Sequence, residues 1–395
     1  MNSSEKKLQL LFPRHSIGNA PYAPKLTPPI GALVLASYLS KKLSDWKVEV
    51  FDCNATSEDE VLERIDASVV GISVWFSNYE NGLEIARKIK AQSPGTKIVF
   101  GGPHTNGLAE RILANNNFID FVVSGDGEEP LVKLLAGVSL DLVSGLSYRL
   151  QGGKIASNPR HLGINLDEIP IFDLTCLKTP FVWGGNNTPL DSMPVSGVRG
   201  CIRVSRCEYC SIPTLGVRTL SPEFFWEQIL LLKEKYGIDS FFETGDIFPV
   251  HHALKLAQAL DAMPEEKKLE LKKISIKIYL YPGMAFPKNI ENLKKIGVKT
   301  VLLELKTCWF GVKKSLPETM LKAILQIPSC KKSMNLKKTE SAFILHSFLV
   351  FRAKPKNHCK KTSLSFKKLP QKKQSKRLLQ TRFIHCPARN FSSGA

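Results

Sequence analysis

The sequence predicts an α/β protein built from a doubly wound parallel sheet and a following partial (β/α) barrel. The first observation is that strand-like and helix-like segments alternate over residues 1–140 and again over 194–301. The second is that a Gly- and Pro-rich connector, residues 141–193, separates the two series. The third is that the alternation stops near residue 302, which leaves a basic C-terminal tail, 302–395, that we expect to be disordered.

The first series contains five short apolar runs, rich in β-branched and aromatic residues, separated by segments of helical period. The predicted strands are Leu8–Phe12, Val48–Phe51, Val69–Phe76, Lys97–Phe100 and Phe121–Val123. The predicted helices are Ile30–Leu43, Glu58–Ile65, Tyr79–Ala91, Asn106–Leu113 and Glu128–Leu135. Because ligands of such sheets lie beyond the carboxyl ends of the strands, the loops that follow these strands are the candidate binding region.

The second series supplies about half of a barrel. Its predicted strands are Pro194–Val198, Ser240–Thr244, Ser275–Leu280 and a strand that begins at Val298. Its predicted helices are Pro222–Tyr236, His252–Ala262 and Pro287–Ile296.

The net charge of +19 is concentrated at one end of the chain. Residues 301–395 contain 21 Lys and Arg against 3 Asp and Glu, whereas residues 1–300 contain 34 against 33. A nearly neutral body disfavours nucleic acid as a partner.

The loss of pattern after residue 302 suggests a change of reading frame. If one nucleotide were restored ahead of the codons for Leu302–Thr307, the new frame could encode the expected barrel strand. We therefore hypothesise that the tail is a frameshifted reading and that the truncated chain is inactive or aggregation-prone. No apolar window is long enough for a membrane span, and we expect a cytoplasmic protein.

Three cysteines within ten residues are the strongest chemical signal. Cys201, Cys207 and Cys210 lie on one loop directly after a predicted strand. Three thiolates can hold three irons of a four-iron cluster and leave the fourth iron open to a ligand. A zinc site would require a fourth ligand, and the nearest histidines are about forty residues away. Zinc binding and incidental buried thiols are the alternatives.

This loop resembles the cluster loop of radical S-adenosylmethionine enzymes, whose usual pattern is C-x3-C-x-aromatic-C. Tyr209 occupies the aromatic position, although five residues rather than three separate Cys201 from Cys207. The resemblance implies that Cys201, Cys207 and Cys210 ligate a [4Fe-4S] cluster and that Tyr209 lies near the adenine of S-adenosylmethionine. It also implies that acidic residues after the second barrel strand, Glu243 and Asp246, contact S-adenosylmethionine.

The first series resembles the cobalamin-binding domain that precedes the barrel in one branch of these enzymes. The matching sequence segments are Leu26–Gly31, Val70–Ser73, Val99–His104 and Val123–Glu129. The resemblance implies that cobalamin contacts Ser73, Gly101, Gly102, Ser124 and Gly125. The D-x-H-x-x-G motif, which supplies a lower axial histidine, is absent from residues 13–31, so we expect that position to be filled otherwise. His104 is more typical of a turn residue than of a ligand.

The resemblance implies a cobalamin-binding enzyme that cleaves S-adenosylmethionine reductively to a 5′-deoxyadenosyl radical, for methyl transfer or rearrangement. Its implied partners are a small-molecule or natural-product substrate and an external electron donor of flavodoxin or ferredoxin type, with no membrane. Two other functions stay open: a non-catalytic cobalamin-binding module and a tRNA-modifying radical enzyme.

Overall fold

The computed structural model describes residues 6–17, 20–21, 28–160, 163–180, 192–202, 210 and 216–303. All of these residues belong to one compact unit of the chain. Two parallel sheets organise it, and the hydrophobic core that covers them contains residues from both predicted series. The predicted α/β fold class is confirmed.

The first sheet contains five neighbouring parallel strands: β1 (Lys7–Phe12), β4 (Lys47–Asp52), β5 (Val69–Ser73), β6 (Lys97–Gly101) and β7 (Phe121–Val123). Their order is β4-β1-β5-β6-β7. The helices between them are α1 (Ile30–Lys42), α2 (Glu58–Leu62), α3 (Tyr79–Gln92), α4 (Ala109–Asn115) and α5 (Glu128–Leu135). A two-stranded ribbon, β2 (Ser16–Ile17) with β3 (Ala20–Pro21), follows β1. All five predicted strands and helices are present, with small shifts at their ends.

Burial on both faces explains the continuous apolar runs. Leu8 and Leu10 of β1 pack into one hydrophobic cluster, and Leu11 packs into another, so the central strand contacts apolar side chains on each side of the sheet. The sequence of β1 therefore lacks the strict alternation of a strand with one solvent-facing side. The strand order reverses between β1 and β5, which makes the crevice at their carboxyl ends the switch point of the sheet.

The connector contributes two strands that the sequence did not predict. The strands β8 (Leu146–Arg149) and β9 (Ile155–Ser157) pair antiparallel and extend the first sheet beyond β7. Gly152 and Gly153 adopt positive φ angles of 86° and 85° in the turn between them. Strands of four and three residues are too short to show a period, which is why this stretch resembled a plain connector.

The second sheet contains four parallel strands in the order β10-β13-β14-β15. They are β10 (Met193–Val195), β13 (Ser240–Glu243), β14 (Ser275–Leu280) and β15 (Val298–Leu303), and an antiparallel pair, β11 (Val198–Arg199) and β12 (Arg218–Thr219), stands beside them. The helices are α6 (Pro222–Tyr236), α7 (Val250–Ala262), α8 (Glu265–Lys272) and α9 (Pro287–Lys295). Helix α8 was not predicted, because its sequence, EEKKLELK, has no apolar stripe.

The strand predicted to begin at Val298 continues to Leu303. The predicted disorder of the tail concerns residues 304–395, which lie outside the described part of the chain. No helix among the described residues is long and apolar enough to cross a membrane.

Candidate functional site

The carboxyl ends of β5 and β6 bring three predicted site residues together. Ser73 and Gly101 are paired in register as the last residues of their strands, and Gly102 follows immediately. A Cβ atom added to Gly102 would lie 3.1 Å from Ser73 Oγ, so these two residues are direct neighbours. All three are half-buried, as expected for residues that border an open edge of the sheet.

The two glycines of this pair have different physical roles. Gly102 has a φ of +96°, and a Cβ there would lie 2.7 Å from the Val74 carbonyl oxygen and 2.9 Å from the Val74 nitrogen. Only glycine is free of strain in that position. Gly101 has ordinary backbone angles and no atom within 4 Å of its Cβ position. Gly102 therefore shapes the turn, while Gly101 leaves open space at the candidate binding edge.

This difference gives a matched test. We expect Gly102→Ala to lower the free energy of unfolding by about 1–3 kcal/mol, because it adds both backbone strain and a clash with the Val74 backbone. We expect Gly101→Ala to change it by less than about 0.5 kcal/mol, because the added methyl group meets nothing. Chemical denaturation of both variants beside the parent measures the difference. Equal stability of the two variants would contradict the geometry.

Ser124 and Gly125 lie at the same edge, after β7. The Ser124 hydroxyl donates to the Thr105 carbonyl at 3.3 Å, and the Gly125 N–H donates to Asn106 Oδ1 at 3.1 Å. Ser124 N–H also donates to the Gly145 carbonyl, which ties this loop to the start of β8. The five residues predicted to contact cobalamin thus lie on three adjacent strand ends. Their contact with cobalamin stays a prediction.

His104 packs within the same edge as a turn residue. Its ring centroid lies 4.4 Å from that of Tyr79, and its backbone N–H donates to the Val74 carbonyl at 3.1 Å. Burial lowers the pKa of His104, so the ring is neutral near neutral pH.

Sequence reasoning missed a group of residues at the switch point. His15, after β1, places Nδ1 2.6 Å from the Ser77 hydroxyl, which follows β5. Trp75 and Phe76 stand beside Ser77, and their side chains are 48% and 88% exposed. Large exposed aromatic residues next to a sheet's ligand-binding edge are a sign of a binding surface. The available signal was the run Trp75–Phe76 at a strand end, which was interpreted as part of the strand.

The cysteine loop begins and ends at the strand pair β11 and β12, which forms its base. The strands β11 and β12 pair Val198 with Thr219 and Arg199 with Arg218 on either side of the loop. Gly200, at φ +91°, approaches Gly216 so closely that a Cβ would lie 2.0 Å from the Gly216 carbonyl oxygen. Of the three cysteines, Cys201 and Cys210 are half-buried thiols, and Cys207 lies outside the described residues. The base of the loop is therefore defined, whereas the full ligand set stays a prediction.

Glu243 is buried beneath this base. Its Oε1 accepts hydrogen bonds from the backbone N–H groups of Gly197, Val198 and Gly245 at 3.0–3.1 Å. Oε2 is buried and has no hydrogen-bond partner among the described residues. Burial raises the pKa of Glu243 to about 8, despite the three N–H donors, so its carboxyl group is largely protonated at neutral pH. In this arrangement Glu243 fixes the backbone that leads to Cys201.

Two further residues, Asp246 and Tyr209, are predicted to contact S-adenosylmethionine. Asp246 is half-buried in the loop after β13, three residues from Glu243. Tyr209 lies outside the described residues. Contact of Tyr209, Glu243 and Asp246 with S-adenosylmethionine stays a prediction.

An ion-pair network joins the loop after β7 to the base of the cysteine loop. Arg199 Nη2 donates to Glu128 Oε1 at 2.6 Å, and Arg199 Nη1 lies 3.4 Å from Asp126 Oδ2. Arg218 pairs with the same Asp126 oxygen and also donates to the Ile164 carbonyl. Burial alone would lower the pKa of Arg199, but the adjoining Glu128 and Asp126 carboxylates raise it, so the guanidinium stays charged. Asp126 and Glu128, which lie within the segment Val123–Glu129, therefore form ion pairs with the base of the cysteine loop.

Comparison with known proteins finds relatives of both parts of the chain. Residues 22–135 match the B12 binding domain family. An uncharacterized methyltransferase of Pyrococcus horikoshii is 28% identical over 81% of this chain and 68% of its own length. The anaerobic magnesium-protoporphyrin IX monomethyl ester cyclase of Synechocystis is 24% identical over 60% of this chain and 48% of its own length.

The solved structures show the same fold. The cobalamin-dependent S-adenosylmethionine radical enzyme OxsB, with aqua-cobalamin and S-adenosylmethionine bound, superposes with a TM-score of 0.63 at 19% identity over 82% of this chain. The radical S-adenosylmethionine methyltransferase TsrM of Kitasatospora setae, with cobalamin and a [4Fe-4S] cluster, gives 0.60 at 15% identity over 82%. This chain spans 48% of OxsB and 65% of TsrM. Residues 22–135 are thus similar to B12 binding domains, and the fold of the chain is similar to that of these two solved enzymes.

Proposed function

We propose that this chain is a cobalamin-binding radical S-adenosylmethionine enzyme that acts in methyl transfer or rearrangement on a small-molecule or natural-product substrate. The observation that carries the proposal is the connection between its two candidate cofactor regions. The glycine-lined edge of the first sheet and the base of the cysteine loop are joined through Asp126, Glu128 and Arg199. Two cofactors that act together require such a fixed relation between their binding loops.

The residues present fit the implied cofactors. Gly101 leaves open space, Ser73 lies beside it, and the exposed rings of Trp75 and Phe76 offer an apolar surface to a large planar corrin. Cys201 and Cys210, with Cys207 between them in sequence, provide the thiolate set that a four-iron cluster requires. These groups bind and orient the cofactors, while Glu243 and the β11–β12 pair hold the loop in position.

The cofactors would supply the bond-breaking chemistry. One electron from an external flavodoxin- or ferredoxin-type donor, passed through the cluster, would cleave the C5′–S bond of S-adenosylmethionine into methionine and a 5′-deoxyadenosyl radical. Thiolate ligation of iron requires reduced cysteines, which favours a cytoplasmic location.

The proposal is tested by anaerobic reconstitution of the full chain with iron, sulfide and hydroxocobalamin, followed by incubation with S-adenosylmethionine and titanium(III) citrate. We expect retained cobalamin. Formation of 5′-deoxyadenosine and methionine, detected by mass spectrometry and absent without reductant, would show that the chain is active and would overturn the sequence-based hypothesis of an inactive truncated chain. Retained cobalamin without cleavage would favour a non-catalytic cobalamin-binding module. Loss of both would overturn the proposal. The even charge balance of residues 1–300 gives a tRNA substrate no support.

A further inference from the structure

The loop that follows β1 is unusually well fixed by side chains from neighbouring loops. Asn78 Nδ2 donates to the Pro13 carbonyl at 3.2 Å, and Asn81 Nδ2 donates to the Arg14 carbonyl at 2.6 Å. The His15 N–H donates to Asn54 Oδ1 at 3.0 Å. Three consecutive residues are thus held by amide side chains that follow β4 and β5. Such fixation of a loop is what a preorganised binding residue requires.

The His15 ring is fixed as well. Nδ1 lies 2.6 Å from the Ser77 hydroxyl, and the ring packs edge-on against Phe12 at 5.1 Å and Trp75 at 6.3 Å between centroids. Among the described residues, Nε2 has no hydrogen-bond partner. A histidine with one nitrogen anchored to a polar partner and the other available has the arrangement usual for a metal ligand.

The position of this pair points to the ligand. His15 follows β1 and Ser77 follows β5, so the two residues border the crevice where the strand order reverses, at which doubly wound sheets bind ligands. The exposed Trp75 packs edge-on against His15, and the exposed Phe76 follows it in the chain; such aromatic side chains suit an apolar, planar group rather than a free hydrated ion. A metal inside a planar macrocycle satisfies both features.

We propose that His15 is the lower axial ligand of the cobalt of cobalamin, through Nε2, and that Ser77 orients the ring by accepting a hydrogen bond from Nδ1–H. The inference rests on the proposed binding of cobalamin and identifies its axial ligand. The absence of D-x-H-x-x-G therefore does not remove the axial histidine: the sequence His15-Ser16-Ile17-Gly18 keeps the H-x-x-G part. The Ser77 hydroxyl, distant in sequence, takes the place of a carboxylate partner.

The test is the electron paramagnetic resonance spectrum of cob(II)alamin in the full chain. A nitrogen ligand splits each cobalt line into three when it is ¹⁴N and into two when it is ¹⁵N. With uniformly ¹⁵N-labelled protein and unlabelled cobalamin, we expect two-fold splitting, which disappears in His15→Ala. His104→Ala, which changes the other half-buried histidine of this edge, should keep the splitting. Ser77→Ala should weaken cobalamin binding by about 10–100-fold, as loss of a ligand's hydrogen-bond partner does.

Three-fold splitting in the labelled protein would show ligation by the cofactor's own base and overturn the inference. Unsplit lines from retained cobalamin would overturn it too, while leaving the proposed function intact. Failure of the chain to retain cobalamin would overturn both, so the two failures are distinguishable. The labelled parent protein decides the question without any substitution, which removes the risk that His15→Ala fails to fold.

Discussion

Cys207→Ala should reduce the iron and sulfide bound after anaerobic reconstitution to the level of unreconstituted protein. Three thiolates on one short loop can hold three irons of a four-iron cluster, and loss of one leaves two ligands for a cluster that needs three. The parent chain should show broad visible absorbance and, after reduction, a paramagnetic signal. The variant should show neither. Iron and sulfide assays on protein freed of unbound metal measure the difference.

Cys53 and Cys176 provide matched controls within the same chain. Cys53 is buried, and burial raises the pKa of its thiol well above the usual range. Burial raises the pKa of Cys176 to about 11. Neither forms a thiolate near neutral pH, so neither competes for iron. Cys53→Ala and Cys176→Ala should keep the full iron content. If Cys207→Ala kept it as well, the ligand assignment would be wrong.

The sequence predicted the structure correctly where a local residue pattern is compatible with few conformations. Mostly apolar runs of three to eight residues predicted all five parallel strands of the first sheet, because burial on both faces leaves few alternatives. Gly102 was predicted as a cobalamin contact, and its positive φ and its closeness to the Val74 backbone add a role in the turn that the resemblance did not specify. The structure of both predicted series and their similarity to known proteins agree with the predicted α/β fold.

The sequence was silent where function depends on partners distant in the chain. Contact of Glu243 with S-adenosylmethionine stays a prediction, but nothing in the sequence indicated that its buried Oε1 also accepts three backbone N–H groups, two of them about 45 residues earlier. His15 gained meaning only from Ser77, 62 residues away. Asp126 and Glu128 were interpreted as part of a cobalamin phrase, whereas they pair with Arg199. No local pattern encodes such contacts, because they arise from the topology of the sheets.

Loss of the Arg199 guanidinium should be among the most destabilising single changes in this chain. The Glu128 side chain is 5% exposed and its described ion-pair partner is Arg199, so Arg199→Met would leave a carboxylate buried without compensation. Breaking a buried pair in this way costs about 3–5 kcal/mol. By contrast, Lys268→Met removes an exposed pair with Glu265 and should cost less than about 1 kcal/mol.

The same change should disturb the cysteine loop, since Arg199 lies two residues before Cys201 and pairs in register with Arg218 across the loop's base. We expect Arg199→Met to lower both the denaturation midpoint and the iron retained after reconstitution. The double variant Arg199→Met/Glu128→Leu should recover much of the stability, because it removes the stranded charge along with its partner. It should not recover iron retention, because the loop's base would still lack its link to the first sheet. Recovery of both properties would show that the network contributes stability alone. An Arg199→Met midpoint equal to that of Lys268→Met would show that the pair is not buried as described.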